Sequence, residues 1–121
     1  MNGSIQIKRV YEQPEESDGY RILVDRLWPR GIKKERAQLN EWDKELAPSH
    51  ELRTWFDHQP DRFKQFSNEY RNELLQKRTE LIRIRRIADN QQVTLIYAAK
   101  DPEINHAVVL CNVLKDDVMI E

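Results

Sequence analysis

The apolar residues of this chain form short strand-like runs separated by long helical stretches. Ile5, Ile7 and Val10 follow a loose two-residue period, which predicts a half-buried strand at the periphery of a sheet. Residues 20–26 (YRILVDR) and 92–99 (QVTLIYAA) have continuous apolar centres, as strands covered on both faces do. These two stretches are the predicted central strands.

Between the predicted central strands, apolar residues recur at helical spacing. Ser49 is a suitable N-cap for a short helix that continues to about Phe56. A longer helix is predicted to begin near Pro60, a residue that suits the first helical position, and its apolar stripe continues to Ala88. Lys77 interrupts the stripe, either because the helix bends there or because the alkyl chain of the lysine lies along the apolar surface.

A last helix is predicted after the second central strand. Asp101 suits the N-cap, Pro102 the first helical position and Glu103 the first turn. Residues 107–114 leave little polar surface, so this helix is expected to be largely buried against the sheet. Residues 118–120 could add a final edge strand.

Length and composition fit one globular domain. With 121 residues, of which 39% are hydrophobic and 34% charged, and a mean hydropathy of −0.84, the chain is expected to fold as a single compact α/β domain spanning residues 1–121. The order of elements predicts a mostly parallel sheet flanked by helices. A single cysteine, Cys111, and no long apolar span indicate a cytoplasmic protein that does not enter the membrane.

The charge balance restricts the class of partner. Twenty Lys and Arg residues against 21 Asp and Glu residues give a net charge of −1, which provides no overall field to attract nucleic acid or an anionic membrane. The basic run at residues 77–86 (KRTELIRIRR) is interpreted as a solvated helix face. Any anion-binding function is therefore expected to be local, and the oligomeric state is not specified.

Each predicted central strand is followed by an unusual polar loop. Residues 25–31 (DRLWPRG) leave the first strand and residues 100–106 (KDPEINH) leave the second. Ligands in α/β sheets bind beyond the carboxyl ends of the strands, so the two loops converge if the strands are parallel neighbours. The candidate ligand-binding residues are Arg26, Arg30, Lys100, Asp101 and Asn105.

These residue types point to a small anionic molecule. A guanidinium offers paired donors to a carboxylate or phosphate, and a helix start offers backbone N–H groups of the same polarity. His106 and Asp25 are the candidate catalytic residues for hydrolase-like or transferase-like proton transfer, although the residues leave open whether the chain is an enzyme. The alternative is structural: Arg26 and Arg30 would pair with Asp25 and other acids to hold an irregular loop.

Metal and cofactor sites are not predicted. His50 and His58 lie eight residues apart and His106 is remote from both, so no compact ligand pair is formed. Cys111 is expected to be an inert core thiol, and no glycine-rich nucleotide motif or nucleophile elbow occurs.

Two other functions compete with small-molecule binding. A non-catalytic interaction module would use the segment at residues 52–63 (LRTWFDHQPDRF) and would require an exposed apolar patch containing Trp55 or Phe56. Nucleic-acid binding would require the helix arginines on one bare face, and the near-neutral charge argues against it.

Three long segments of the chain resemble one known family. They are DGYRILVDRLWPRGIKKE, LNEWDKELAPSHELRTWFDHQPDRF and VTLIYAAKDPEINHAVVL. From about Ile7 to Leu114 the chain resembles domain-of-unknown-function family 488 and, within it, the small YeaO-like branch. The resemblance implies an α/β fold and no particular activity. The polar and aromatic residues that match the family pattern are Arg21, Asp25, Arg26, Trp28, Arg30, Ser49, Arg53, Trp55, Lys100, Asp101, Asn105 and His106.

The chain departs from longer relatives of that family at one informative place. Those relatives carry cysteines and a Cys-His-Arg ending, of which only His106 has a counterpart here. Thiol chemistry is therefore not transferred to this chain.

Overall fold

The computed structural model describes residues 4–116, which form a four-stranded sheet in the order β1-β4-β2-β3. Every neighbouring pair of strands is parallel, which confirms the predicted α/β class with a parallel sheet. The strands are β1 (Ile5–Arg9), β2 (Tyr20–Leu23), β3 (Glu41–Trp42) and β4 (Val93–Tyr97).

The two predicted central strands are the inner pair of the sheet. Tyr20 is paired with Val93 and Leu23 with Ile96, so the carboxyl ends of β2 and β4 lie side by side. The amide of Val24 extends this pairing by donating to the carbonyl of Ile96 at 3.0 Å. The loops that follow both strands consequently leave the sheet at the same edge.

Within the described residues, five α-helices accompany the sheet: α1 (Lys34–Ala37), α2 (His50–Phe56), α3 (Phe63–Leu75), α4 (Arg78–Asn90) and α5 (His106–Lys115). The hydroxyl of Ser49 accepts a hydrogen bond from the amide of Leu52 at 3.2 Å, which confirms this residue as the N-cap of α2. The predicted long helix is divided into α3 and α4, and the break falls at Lys77. Within residues 4–116, no helix is long and apolar enough to cross a membrane.

The predicted start of the last helix was wrong. α5 begins at His106, and its N-cap is Asn105, whose side-chain oxygen accepts from the amide of Val108 at 3.0 Å. Asp101 instead stabilises an isolated turn, because its Oδ1 accepts from the amides of Glu103 and Ile104 at 2.9 and 3.0 Å. Aspartate and proline favour such turns for the same reasons that they favour helix starts.

Other differences from the predicted elements concern short segments. β3 and α1 have two and four residues, too few to produce a hydrophobic period. The edge strand suggested for residues 118–120 lies outside the described residues.

Both faces of the sheet are covered. Ile22, Val24 and Leu95 belong to the large core beneath α2 to α5. On the opposite face, Leu23 and Ile96 join Val10 in a smaller cluster, and the half-buried rings of Trp28 and Trp42 pack against it. The two indole rings contact each other edge to face, with centroids 5.3 Å apart. Trp28 is thus a packing residue, and its indole N–H is satisfied by the carbonyl of Ile32 at 2.6 Å.

A buried ionic cluster ties β1 to β2. The carboxylate of Asp18, which is 2% exposed, accepts from Lys8 Nζ at 3.0 Å and from Arg21 Nη1 at 2.6 Å. The guanidinium of Arg21 also donates to the carbonyls of Ala37 and Gln38. Arg21 therefore has a structural role.

Candidate functional site

A cleft of about 680 Å³ opens at the carboxyl edge of the sheet, between the loops that follow β2 and β4 and the side of α2. Its volume lies within the range of small-molecule sites. Six of the seven residues proposed from the sequence line it: Asp25, Arg26, Lys100, Asp101, Asn105 and His106.

Arg30, the seventh residue, lies outside the cleft lining. It is exposed, and its carbonyl accepts a hydrogen bond from the hydroxyl of Tyr11 at 2.8 Å. Gly31, which follows it, has a φ of +77°, a left-handed conformation that glycine adopts without steric cost. The structure does not bring Arg30 together with Lys100 and His106.

Arg26 lines the cleft but also holds the chain before α2. Its Nε donates to the carbonyl of Pro48 at 3.2 Å and its Nη2 to the carbonyl of Ala47 at 3.4 Å. Within residues 4–116 it forms no ion pair with Asp25 or any other acid. Arg26 thus positions the segment that leads into α2 and keeps part of its guanidinium at the cleft.

Asp25 and His106 form a close pair at the inner end of the cleft. His106 Nε2 lies 3.0 Å from Asp25 Oδ1 and 3.1 Å from the carbonyl oxygen of Val24, with the hydrogen bond aligned on the carbonyl. Because two oxygens face Nε2, we assign the proton of the neutral ring to Nε2, which leaves the lone pair on Nδ1.

The carboxylate of Asp25 is held in place by the sheet edge. Its Oδ2 accepts from the amide of Ala98 at 3.0 Å, while the buried Oδ1 receives no aligned hydrogen bond within residues 4–116. The cleft therefore contains an imidazole and a carboxylate within hydrogen-bonding distance of each other.

Asn105 and Asp101 are committed to local structure. Asn105 is 2% exposed and uses its amide nitrogen on the carbonyl of Asp101 at 2.8 Å while its oxygen caps α5. The turn amides hold the pKa of the exposed Asp101 carboxyl below its usual range. Lys100, by contrast, is exposed and forms no hydrogen bond or ion pair within residues 4–116.

The helix α2 adds residues that reasoning from the residues alone did not assign to the site. His50, Arg53 and Thr54 line the cleft, and their spacing of i, i+3 and i+4 places them on one helical face; Asp57, the C-cap of α2, also lines it. Arg53 had been singled out only through the family resemblance. The helical spacing of these polar residues is the signal in the sequence that points to them.

Arg53 differs from the other arginine of the cleft. It is half-buried in the wall of the cleft, and its guanidinium forms no hydrogen bond or ion pair within residues 4–116. Arg53 thus presents unused, directional donors to the cleft.

A second depression, of about 760 Å³, lies along α4. Its central cation, Arg83, is held by Glu41 at 2.5 Å, Glu80 at 2.7 Å and Asp43 at 3.3 Å. Burial and the nearby Glu80 carboxylate raise the pKa of Asp43 to about 7, whereas hydrogen bonds from Arg83 and Asp43 lower that of Glu80 to about 2. The arginine occupies this acidic cluster and is not free to bind a phosphate backbone.

The apolar patch required for an interaction module is incomplete. Phe56 is 6% exposed and packs in the core, so only Trp55, at 36% exposure, is accessible. The guanidinium of Arg62 lies over that indole, 5.6 Å from its centroid.

Comparison with known proteins places the chain in a family. The model of the family described as "Inactive DUF488-N3 subclade" matches residues 4–121. This chain belongs to the DUF488 family. The chain is 52% identical over 112 residues to the Uncharacterized protein YeaO of Escherichia coli (strain K12), covering 93% of this chain and 97% of YeaO.

More distant relatives of this DUF488 chain occur in mycobacteria. The chain is 40% identical over 110 residues to Uncharacterized protein Rv3073c of Mycobacterium tuberculosis, with 91% of this chain and 92% of the relative covered, and the same values hold for Uncharacterized protein Mb3100c of Mycobacterium bovis. No solved structure matches. The predicted family and its YeaO-like branch are confirmed.

Proposed function

We propose that this DUF488 chain is a binding protein for a small anionic molecule, whose phosphate or carboxylate is held in the cleft by Arg53. One observation carries the proposal: within residues 4–116, the guanidinium of Arg53 lines a cleft of small-molecule size without an internal partner. A half-buried arginine with free donors binds an oxyanion in bidentate geometry.

Two further cations in the cleft lining support the binding of an anion by Arg53. Lys100 adds a second cation to the lining, and Arg26 keeps part of its guanidinium there. Arg30 lies outside the lining, so Arg53 and not Arg30 is the main anion contact. Asp101 and Asn105 act indirectly, by shaping the loop that carries Lys100.

Binding without turnover is favoured by the description of the matching family model as inactive. One observation supports a second candidate function, which is hydrolase-like or transferase-like chemistry. Asp25 and His106 line the same cleft, with Asp25 Oδ1 3.0 Å from His106 Nε2. Release of nitrophenol from nitrophenyl phosphate distinguishes the binding function from the catalytic one. An acid–base enzyme would release nitrophenol as the wild type and lose this activity in His106→Gln. The binding proposal expects no release above buffer.

The anion site is tested by titrating inorganic phosphate into the ¹⁵N-labelled protein and following amide and arginine Nε shifts. We expect saturable shifts around residues 50–57 and 98–106. Arg53→Gln should weaken binding by about tenfold to 100-fold, since a charge-assisted hydrogen bond contributes about 1.5–3 kcal/mol.

Arg30→Gln is the matched control, because Arg30 is an exposed arginine outside the cleft lining. It should bind phosphate as the wild type does. Equal losses in the two variants would reduce the effect to net charge and contradict a specific site. Absence of any saturable shift in the wild type would also refute the proposal.

A further inference from the structure

The cleft has an apolar wall as well as a charged one. Three large apolar side chains are exposed within residues 4–116, namely Tyr11, Leu27 and Trp55, and of these Leu27 lines the cleft. It is 63% exposed although it belongs to the structured loop that follows β2. The half-buried side chain of Ile104, on the loop that follows β4, also contributes to the lining.

Phe56 and Phe66 extend this wall towards the core. Their rings are stacked with centroids 4.3 Å apart, and both residues line the cleft. Phe56 follows Arg53 by three positions in α2, so the cation and the apolar wall lie on neighbouring parts of one helix surface. A ligand held by Arg53 therefore also meets apolar side chains.

The charges of the cleft restrict how much negative charge a ligand can carry. Besides the cations of Arg26, Arg53 and Lys100, the lining contains the carboxylates of Asp25, Asp57 and Asp101. A polyphosphate would bring additional negative charge near these carboxylates, which repel it. A ligand with one acidic group avoids that repulsion.

Resting on the proposed function, we infer that the ligand is an amphipathic organic acid, with one phosphate or carboxylate on a compact apolar body. The acidic group binds Arg53, and the apolar body covers Leu27. Removing this leucine surface from water adds affinity that inorganic phosphate lacks.

The inference is tested by extending phosphate in two ways. NMR titrations of the wild type are carried out with inorganic phosphate, phenyl phosphate and pyrophosphate. We expect phenyl phosphate to bind about tenfold more tightly than phosphate, because the ring is transferred from water to the apolar wall. Pyrophosphate should bind no more tightly than phosphate.

Two variants locate the apolar contribution. Leu27→Ser should bind phosphate as the wild type does but lose most of the gain from the phenyl group. Tyr11→Ser is the control, since Tyr11 is a large exposed side chain outside the cleft lining; it should retain the gain.

The outcomes separate this inference from the anion site. If phosphate does not bind, the proposed function fails and the inference with it. If phosphate binds through Arg53 but phenyl phosphate binds no better, the inference is overturned and the anion site stands. The same holds if pyrophosphate gains more than phenyl phosphate, or if Leu27→Ser keeps the full gain.

Discussion

The substitution Asp18→Asn tests whether the buried ionic cluster between β1 and β2 stabilises the fold. It replaces a charged carboxylate by a neutral side chain of nearly the same shape, so packing is retained while charge is removed. The side chains of Lys8 and Arg21, which are 10% and 4% exposed, would keep their positive charges without a buried counter-ion. The remaining acidic neighbour of Lys8 is Glu15, which is 64% exposed and lies 2.8 Å from Lys8 Nζ.

The expected loss in the free energy of unfolding of Asp18→Asn is large because the ionic cluster is buried. Removing one partner of a buried ion pair costs about 3–5 kcal/mol, and two cations are affected here. In the wild type the amide of Glu15 donates to Asp18 Oδ2 at 3.0 Å, and the side-chain oxygen of asparagine can still accept this hydrogen bond. We therefore expect a loss in the free energy of unfolding at the lower end of this range, about 3 kcal/mol. For a domain of this size that corresponds to a decrease in Tm of about 10–15 °C.

Glu15→Gln is the matched control, since Glu15 binds the same ammonium group from an exposed position. Exposed ion pairs contribute about 0–1 kcal/mol, so this variant should unfold near the wild-type midpoint. Unfolding is followed in urea by tryptophan fluorescence. A loss in Asp18→Asn no greater than that in Glu15→Gln would refute the reasoning.

The pH dependence provides an independent check. Burial alone would raise the pKa of Asp18, but hydrogen bonds from the Glu15 amide, Lys8 and Arg21 outweigh it and lower the pKa below 3.8. The contribution of Asp18 is therefore present above about pH 4 and is lost as the pH falls through the lowered pKa. The difference between wild type and Asp18→Asn should shrink on acidification.

Three further changes test local features. The folded state keeps a proton on Asp43 between about pH 4 and 7 that the unfolded chain releases, so its contribution to stability falls as pH rises. Asp43→Asn should gain about 2–3 kcal/mol relative to the wild type between pH 5 and 8 in urea titrations, since each pH unit below the raised pKa contributes about 1.4 kcal/mol. An unchanged difference would contradict this assignment. Gly19→Ala should lower Tm far more than Gly31→Ala. Both glycines have a positive φ, but a Cβ at Gly19 would collide with the Gln92 carbonyl, whereas a Cβ at Gly31 would meet nothing within 4 Å. Equal Tm values for the two variants would be inconsistent with that collision. Asn105→Ala should cost about 1–2 kcal/mol in chemical denaturation by uncapping α5, and a loss below that of Asp101→Ala would count against Asn105 as the cap.

The central strands could be located from sequence because burial on both faces leaves a continuous apolar run. Residues 20–26 and 92–99 show this run, and β2 and β4 are the inner pair of the sheet. The start of α5 could not be located in the same way. Asp101 and Pro102 satisfy a turn as well as a helix start, and the choice depends on Asn105 being buried against the sheet, which is a tertiary contact.

The site shows the same division between periodic and irregular segments. A loop without a repeating geometry gives no rule for the direction of its side chains, so the sequence could not separate Arg26, which lines the cleft, from Arg30, which does not. A helix does give such a rule. His50, Arg53 and Thr54 were predictable as one face once α2 had been assigned, although the side of the sheet on which α2 lies was not.

Internal partners distinguish several structural arginines from Arg53. Arg21 is neutralised by Asp18, and Arg83 is surrounded by three carboxylates. Arg26 donates to two backbone carbonyls. Each of these guanidiniums would have to break internal hydrogen bonds to bind an anion fully, whereas Arg53 breaks none within residues 4–116, and this difference favours Arg53 as the binding residue.

Arg53 is also placed before any ligand arrives. The amide and hydroxyl of Ser49 donate to the carboxylate of Glu73 at 2.9 and 2.6 Å, which fixes the start of α2 against α3. The hydroxyl of Tyr70, on α3, donates to the carbonyl of Leu46 and secures the segment before the helix. Since Arg53 lies one turn beyond Ser49, its backbone needs no ordering on binding, and the conformational cost is confined to one side chain. A fixed backbone that carries an unpaired guanidinium is what the proposed anion site requires, and a segment whose sole role was packing would not need the unpaired charge.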